Sequence, residues 1–429
     1  MNDQSAVIAV AEEHSGLIRW KTDAWQNPHM VKWYSGRMVN RDATSHLKNV
    51  VEIDTIKHFV RGHDVIDIGV GTGRAALPLV ADGYRLTGVD SSQAMLDETR
   101  RLADGAPIRL QVGDVVSVPC DDHTFDSAVS LNVLVHFPNW REALLEWKRV
   151  VRPGGRLIFD IHSLDHAVHA YGADQTRWPE ALRRSERGDD FVNYMSRVSI
   201  EQLVSFADEA GFRIVSTVPY GAFFGGGNVN WLLHSDLESK NRWKRVLSWF
   251  ARDDALLELG VFLEEKLVSW LTPKYTGRMF VVLENEADPA ANARFKADIA
   301  ARDAAIAEGD LAKLLPWLPL TLEQYAKELG RLLQPLRSRH FFFLLYRALL
   351  ARVPGFDFRG VIPGDVLDQF RLWMENDRID RETTEIARGW SAAAAFKFKD
   401  GVDVTVGTEY SLIKALLEKH FGVFGGGRQ

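Results

Sequence analysis

The chain has 429 residues, 46% of them apolar and 26% charged, with a net charge of −6. That is enough sequence for two globular domains, and the acidic balance argues against a nucleic-acid partner, whose phosphates call for a basic surface. The single cysteine, Cys120, excludes an intramolecular disulfide and a cysteine-rich metal centre, which suits a reducing, cytoplasmic setting. No signal peptide is expected, because the first residues lack a basic segment followed by an apolar core. The most apolar run, His340 to Leu350, is too short to cross a bilayer and is interrupted by Arg347.

Residues 1–60 read as a polar, aromatic lead-in with Trp20, Trp25, Trp33 and Tyr34, ending in a helix over Leu47–Phe59. The run Val65-Ile66-Asp67-Ile68 then enters Gly69-Val70-Gly71-Thr72-Gly73-Arg74 and an apolar helical pattern from Ala75. A strand–turn–helix of this kind brings backbone N–H groups and a helix N-terminus close to a ligand, because glycine lacks the Cβ that would block the approach. A second strand, Tyr84–Asp90, ends in a carboxylate, and Ser91-Ser92-Gln93-Ala94-Met95-Leu96 opens the next helix. A third, Ile108–Val112, ends in Gly113-Asp114-Val115; a fourth begins at Phe125 and runs into a loop with Asn132 and His136. An amphipathic helix (Trp140 to Val151) and the stop Pro153-Gly154-Gly155 lead to a fifth strand ending at Asp160. After an irregular stretch, His162 to Asn193, the capping box Ser199–Gln202 starts a helix that Gly211 stops. Phe212–Val218 reads as a sixth strand, Trp231–Trp270 as helical and Arg278–Glu284 as the last strand.

The glycine spacing separates two nucleotide-binding turns. A dinucleotide fold places its third glycine where Arg74 stands. Asp67-x-Gly69-x-Gly71-x-Gly73 instead resembles motif I of the class I S-adenosylmethionine-dependent methyltransferases, and the Asp90-x-Ser92-x-x-Met95-Leu96 and Gly113-Asp114 segments resemble that family's next two motifs. The likeness covers Trp25 to Glu286 and implies an α/β fold: a seven-stranded Rossmann-like sheet of order 3-2-1-4-5-7-6, the last strand antiparallel. The domains then read as a cofactor-covering lead-in (1–60), an S-adenosylmethionine-binding domain (61–288, with a helical insertion at about 228–272) and a mostly helical accessory domain (289–429). In that last region, helices are expected over Ala290–Gly309, from Thr321, and over Ser338–Val353, Pro363–Asn376, Asp380–Phe396 and Glu409–Phe421. An Asp400-Gly401 turn between Phe396 and Val406 reads as a hairpin.

The resemblance also implies roles. Gly69, Gly71 and Gly73 would line the methionine part of the cofactor, with Asp67 addressing its ammonium. Asp90 would accept the ribose hydroxyls with Ser91 beside it, Met95 would pack on the adenine, and Asp114 with the Val115 N–H would read the adenine edge. Asn132 would contact the methionine moiety, and Arg37 in the lead-in would either clamp its carboxylate or stand as a plain solvated surface arginine. Each acid has a plainer reading as a helix or turn cap. His136 and His162 are the catalytic candidates, His136 as a general base. His162, His166 and His169, if helical, would share a face beside Asp165, a spacing open to a metal but better read as a polar pocket wall. Phe223, Phe224, Trp231, Trp243, Trp249 and Trp270 would line an apolar pocket or pack a helical cover, with Gly225-Gly226-Gly227 as a mobile mouth.

The function implied is methyl transfer from S-adenosylmethionine to an oxygen or nitrogen of a small-molecule acceptor: a secondary metabolite, a sugar, or a quinone or lipid precursor. Two alternatives keep the same motifs: a carboxy-S-adenosylmethionine synthase or cyclase, and a non-catalytic binding protein acting through its C-terminal region. That region would shape the pocket, pair two copies or dock a partner.

Overall fold

Five strands form the parallel half of one sheet: β1 (Asp64–Ile68), β2 (Arg85–Asp90), β3 (Ile108–Val112), β4 (Phe125–Ser130) and β5 (Val151–Ser163). The computed structural model describes residues 16–39, 45–172, 183–185, 194–221, 253–309, 311–333, 396–397 and 403–404. A two-residue strand, β6 (Arg197–Val198), pairs with the end of β5, and β7 (Arg213–Tyr220) and β8 (Arg278–Glu284) complete the sheet. The order is β3-β2-β1-β4-β5-β8-β7, with β8 antiparallel to both neighbours. This is the expected order; the added short β6 makes eight strands instead of seven. β5 starts ahead of Pro153-Gly154 because the ladder bulges there: the register jumps between Phe125 and Ser127, and Gly154 sits at φ +74°.

Helices cover both faces, as parallel strands require. In chain order the described helices include α1 (Pro28–Val39), α2 (His46–Phe59), α3 (Ala76–Ala81), α4 (Gln93–Ala103), α5 (Trp140–Val150), α6 (Leu164–Tyr171), α7 (Ile200–Ala210), α8 (Asp254–Phe262), α9 (Pro289–Glu308) and α10 (Leu322–Leu333), the last of these in a separate unit. Residues 16–26 are also helical. On α5, Trp140, Ala143, Leu144, Trp147 and Val150 recur at three- and four-residue intervals and are buried together. Trp147 donates its indole N–H to the Val115 carbonyl at 2.9 Å, fixing the loop beyond β3 to this helix. α7 begins with the predicted box: Ser199 and Gln202 bond each other's backbone N–H, and Gly211 ends the helix at φ +72°.

The domain boundary expected after residue 288 is not a linker. Asp288 caps α9 by accepting the Ala291 N–H at 2.8 Å. Asn292, 0% exposed, accepts from the Ile214 N–H at 2.7 Å and donates to the Phe212 carbonyl at 2.9 Å. A buried amide that satisfies two backbone groups at the start of β7 ties α9 to the sheet. The compact unit carrying the sheet consists of 1–231 and 260–319; a second comprises 232–259 and 320–429. In that second unit, α10 opens with a reciprocal Thr321–Gln324 cap, and Arg331 pairs with Glu258 at 2.8 Å and Glu328 at 2.9 Å. Phe396–Lys397 and Asp403–Val404 pair antiparallel, as the hairpin required; Phe396 is therefore strand, where the preceding helix was expected to reach it. The helices expected over 338–353, 363–376, 380–395 and 409–421, and the 231–252 part of the helical insertion, lie outside the described residues.

Candidate functional site

Gly69, Gly71 and Gly73 all take positive φ (+75°, +55° and +80°) in the turn between β1 and α3. A Cβ on Gly69 would meet Val133 Cγ2 at 2.4 Å, whereas one on Gly71 would find nothing closer than 3.9 Å. The turn is thus packed on one flank and open at its centre, where Tyr34 of α1 is the nearest side chain at 4.0 Å. Asp90, at the tip of β2, accepts the Gly71 N–H and the Ser92 N–H at 2.9 Å each, one on each carboxylate oxygen. A carboxylate has about four lone-pair sites, so both oxygens can accept further bonds. Burial raises the Asp90 pKa, and the two N–H groups pull the other way. Asp67 is 2% exposed and pushed up to about 7 by burial and by the nearby Asp90, against the pull of Arg74 and the Ala76 N–H.

The helix after β2 is capped by Ser92, whose Oγ accepts the Met95 N–H at 3.3 Å. Ser91 is half-buried beside it and Met95 is buried at 3% exposure. Beyond β3, Asp114 closes a tight turn: Oδ1 takes the Val116 N–H at 3.1 Å, and Asp114 and Ser117 bond through their backbones. Asp67, Asp90 and Asp114 therefore each serve as caps, as the plainer reading held. They also stand at the tips of three adjacent strands, β1, β2 and β3.

Asn132, past β4, sits at φ +58°, an uncommon conformation for a residue with a side chain. Its N–H donates to Asp160, and its Oδ1 accepts from Lys48 Nζ and Arg278 NH1, both at 3.2 Å. Its Nδ2 is buried without a hydrogen-bond partner among the described residues.

Around Asn132 lies a buried charge cluster that sequence reasoning missed. Glu52, 0% exposed, accepts from Arg74, from Lys48 at 3.2 Å and from the Tyr220 hydroxyl at 2.9 Å. Burial alone would raise its pKa, but Arg74 and Lys48 outweigh that and hold it below the usual carboxylate range. Tyr220 also lies 3.0 Å from Asp160 Oδ2. The Tyr220 hydroxyl is thus shared between two carboxylates, and burial and Glu52 raise the Asp160 pKa while Lys48 and Arg278 pull it down. Lys48 is pushed down to about 8 by burial and by the like charge of Arg278. The one signal available was the i, i+4 spacing of Lys48 and Glu52, which also describes any solvated helix pair.

His136 lies in the 3₁₀ turn Leu134–His136, with the Trp25 ring 5.7 Å away. Burial, with Lys21, Arg278 and Lys48 nearby, pushes it down to about 3. An imidazole so reluctant to protonate is a poor general base, since proton-transfer efficiency is best with a pKa near the operating pH. His162 ends β5 directly opposite Arg278 on β8 and Arg197 on β6. Burial, then Arg278, Arg197 and Lys48, hold it well below the usual histidine range. The helical spacing of His162, His166 and His169 does not arise, because His162 is in a strand and α6 starts at Leu164. His166 instead approaches the Lys274 carbonyl at 3.1 Å, and His169 packs edge-on against Tyr275. Among the described residues no group of His, Cys, Asp or Glu could hold a metal ion.

The lead-in covers this edge of the sheet through Trp25, Tyr34 and Lys21, which reaches the Tyr194 carbonyl at 3.2 Å. Arg37 lies on α1, but its side chain is outside the described residues, as are Phe223, Phe224, Gly225-Gly226-Gly227, Trp231, Trp243 and Trp249. Trp270 follows a π-helical stretch, Leu263–Val268, and accepts at its carbonyl from Arg302 at 3.4 Å.

Residues 66–159 match the family model described as a methyltransferase domain. An uncharacterised 37.1 kDa transposon protein of Streptomyces fradiae is 30% identical over 195 residues, 44% of this chain and 54% of that protein. An O-methyltransferase of Aspergillus sclerotiorum is 30% identical over 159 residues, 36% of this chain and 56% of the relative. A ubiquinone biosynthesis O-methyltransferase of Coxiella burnetii is 24% identical over 174 residues, 40% of this chain and 73% of the relative. The chain spans about half the length of the first of these curated relatives. No described helix is long and apolar enough to cross a membrane. Residues 66–159 are thus similar to a methyltransferase domain, and the strand order, antiparallel β8 and open glycine turn are those expected of the class I, S-adenosylmethionine-dependent type.

Proposed function

We propose that the chain transfers the methyl group of S-adenosylmethionine to an oxygen or nitrogen of a small-molecule acceptor. The observation that carries this reading is the meeting of the open Gly71 turn with Asp67, Asp90 and Asp114 at the tips of three adjacent strands. The donor set fits the cofactor. Asp90 retains lone pairs for the ribose hydroxyls, Asp114 and Val115 border the adenine side, and Met95 flanks it from α4. Asp67 is a buried carboxyl in want of a cation, which the methionine ammonium is. Asn132 stands at the methionine end of this stretch, and Arg37 on α1 is the proposed clamp for the methionine carboxylate. The O-methyltransferases among the relatives favour oxygen as the accepting atom.

When bound, S-adenosylmethionine would supply an electrophilic methyl with a neutral thioether as its leaving group, and the acceptor's O–H or N–H proton would be lost to solvent as the product departs. Because the leaving group is neutral and good, the residues mainly hold the acceptor in line and keep water out. Trp25 and Tyr34 close over the turn for that purpose. His136 and His162, neutral at cellular pH, offer hydrogen bonds to the acceptor, and His136 is better placed to orient it than to remove its proton.

The test is incubation with labelled S-adenosylmethionine and an acceptor panel. Release of S-adenosylhomocysteine in step with a methylated product supports transfer. Turnover to a carboxylated or cyclised product, or binding with no turnover across the panel, would contradict it.

A further inference from the structure

We propose that the acceptor is an acid, its carboxylate seated between Lys48 and Arg278 with Asn132 Nδ2 and His162 Nε2 as neutral donors. The proposal rests on the methyl-transfer reading and names the chemical class its acceptor site takes. Lys48 and Arg278 both donate to one neutral amide oxygen, Asn132 Oδ1, at 3.2 Å each. Two like charges brought together on one dipole are unfavourable away from water unless an anion joins them. The carboxylates already there compensate incompletely. Glu52 is shared between Lys48 and Arg74, and Asp160 stands 3.9 Å from Arg278 while facing Tyr220.

Two neutral groups beside these cations also lack partners. The Nδ2 of Asn132 and the Nε2 of His162 are both buried with no hydrogen bond among the described residues. His162 stands opposite Arg278 in the β5–β8 register. Buried polar groups are rarely left unpaired, and here the unpaired ones border two cations that share two carboxylates with Arg74 and Tyr220. A monoanion with two acceptor oxygens supplies what both need.

Position sets this seat at the methionine end of the site. A ligand reaching from Asp114 beyond β3 to Asn132 beyond β4 crosses three inter-strand steps, about 14 Å. His162 on β5 and Arg278 on β8 lie one and two strands farther along the same edge. The acid seat is therefore at the end of the site remote from the adenine side.

The experiment is calorimetry on the full chain saturated with S-adenosylhomocysteine, titrated with a panel of aromatic and aliphatic hydroxy acids and with their amides. Acids binding about tenfold or more tightly than their amides support the seat, as does loss of that preference in Arg278→Gln. The wild-type comparison stands even if that variant does not fold. Amides equal to acids, or no acid bound at all, overturn the proposal; equality assigns the excess charge to the cofactor's carboxylate. Failure of S-adenosylhomocysteine itself to bind is a separate result and removes the methyl-transfer reading beneath it.

Discussion

The two ends of the sheet use the same kinds of residue for opposite purposes. At the amino ends of the strands, Arg85 pairs with Asp64 at 2.7 Å, and Arg152 reaches both Asp64 and Asp126. Those arginines are 70% and 40% exposed, and Asp126 is further occupied by the His63 and Asp64 N–H groups. At the carboxyl ends, Lys48, Glu52, Arg74, Asp160 and Arg278 are withdrawn from water, and polar atoms of Asn132, His136 and His162 have no hydrogen-bond partner among the described residues. A solvated ion pair is screened and contributes little. A buried one costs desolvation and is tolerated where the charges are needed in place. The difference sets a buried polar cluster at one edge against solvated ion pairs at the other, which supports the proposed site at the carboxyl ends.

Breaking the buried end should have the largest effect. Arg74→Met leaves Glu52 charged and buried, and denaturant unfolding should show a loss of about 3–5 kcal/mol at neutral pH. Because the folded-state pKa of Glu52 is depressed, the stability it contributes is present above the ordinary carboxylate pKa and lost as pH falls through its folded value. The gap between wild type and variant should therefore narrow in acid; a gap independent of pH would contradict the pairing.

Asp90→Ala comes next. Loss of charge-assisted bonds to the ribose should weaken S-adenosylhomocysteine binding by about 1.5–3 kcal/mol, and an unchanged dissociation constant would remove Asp90 from the site. A third test uses Asp67. At pH 7 a carboxyl whose pKa is about 7 is half protonated. A bound ammonium should lower that pKa, so binding should release about half a proton, read from calorimetry in buffers of different ionisation enthalpy. Proton uptake would contradict the contact.

His136 sharpens the comparison further. Its imidazole should remain neutral in the free protein down to about pH 3 by NMR titration. The unfolded chain then binds the extra proton first, so this residue makes stability rise with pH between about 3 and 6.5. A midpoint near 6.5 would restore it as an ordinary base. The smallest effect belongs to the exposed end: Arg152→Ala should change stability by no more than about 1 kcal/mol.

Most of the sheet could be read from the sequence because each strand announces its own end. The β-branched runs stop at Gly69, Asp90, Asp114 and Asn132, and period changes mark where helices follow. Arg278–Glu284 was legible to the residue as the last strand, and its insertion between β5 and β7 followed from the family likeness. Tertiary coincidence was not legible. Tyr220 is simply the last residue of β7 and Arg278 the first of β8, and only the antiparallel register brings them together. Glu52 belongs to a helix whose charges look solvated until Arg74 and Tyr220 are found against it. The continuation of the sheet-bearing unit past residue 288 was hidden for the same reason, since Asn292 reveals its role only through Ile214 and Phe212.

Cofactor choice underlies the whole account, and calorimetric titration of the purified chain with S-adenosylhomocysteine, alongside NAD, tests it most directly. The account predicts saturable heat with the former and none with NAD. Heat from NAD with none from either S-adenosylhomocysteine or S-adenosylmethionine would contradict it.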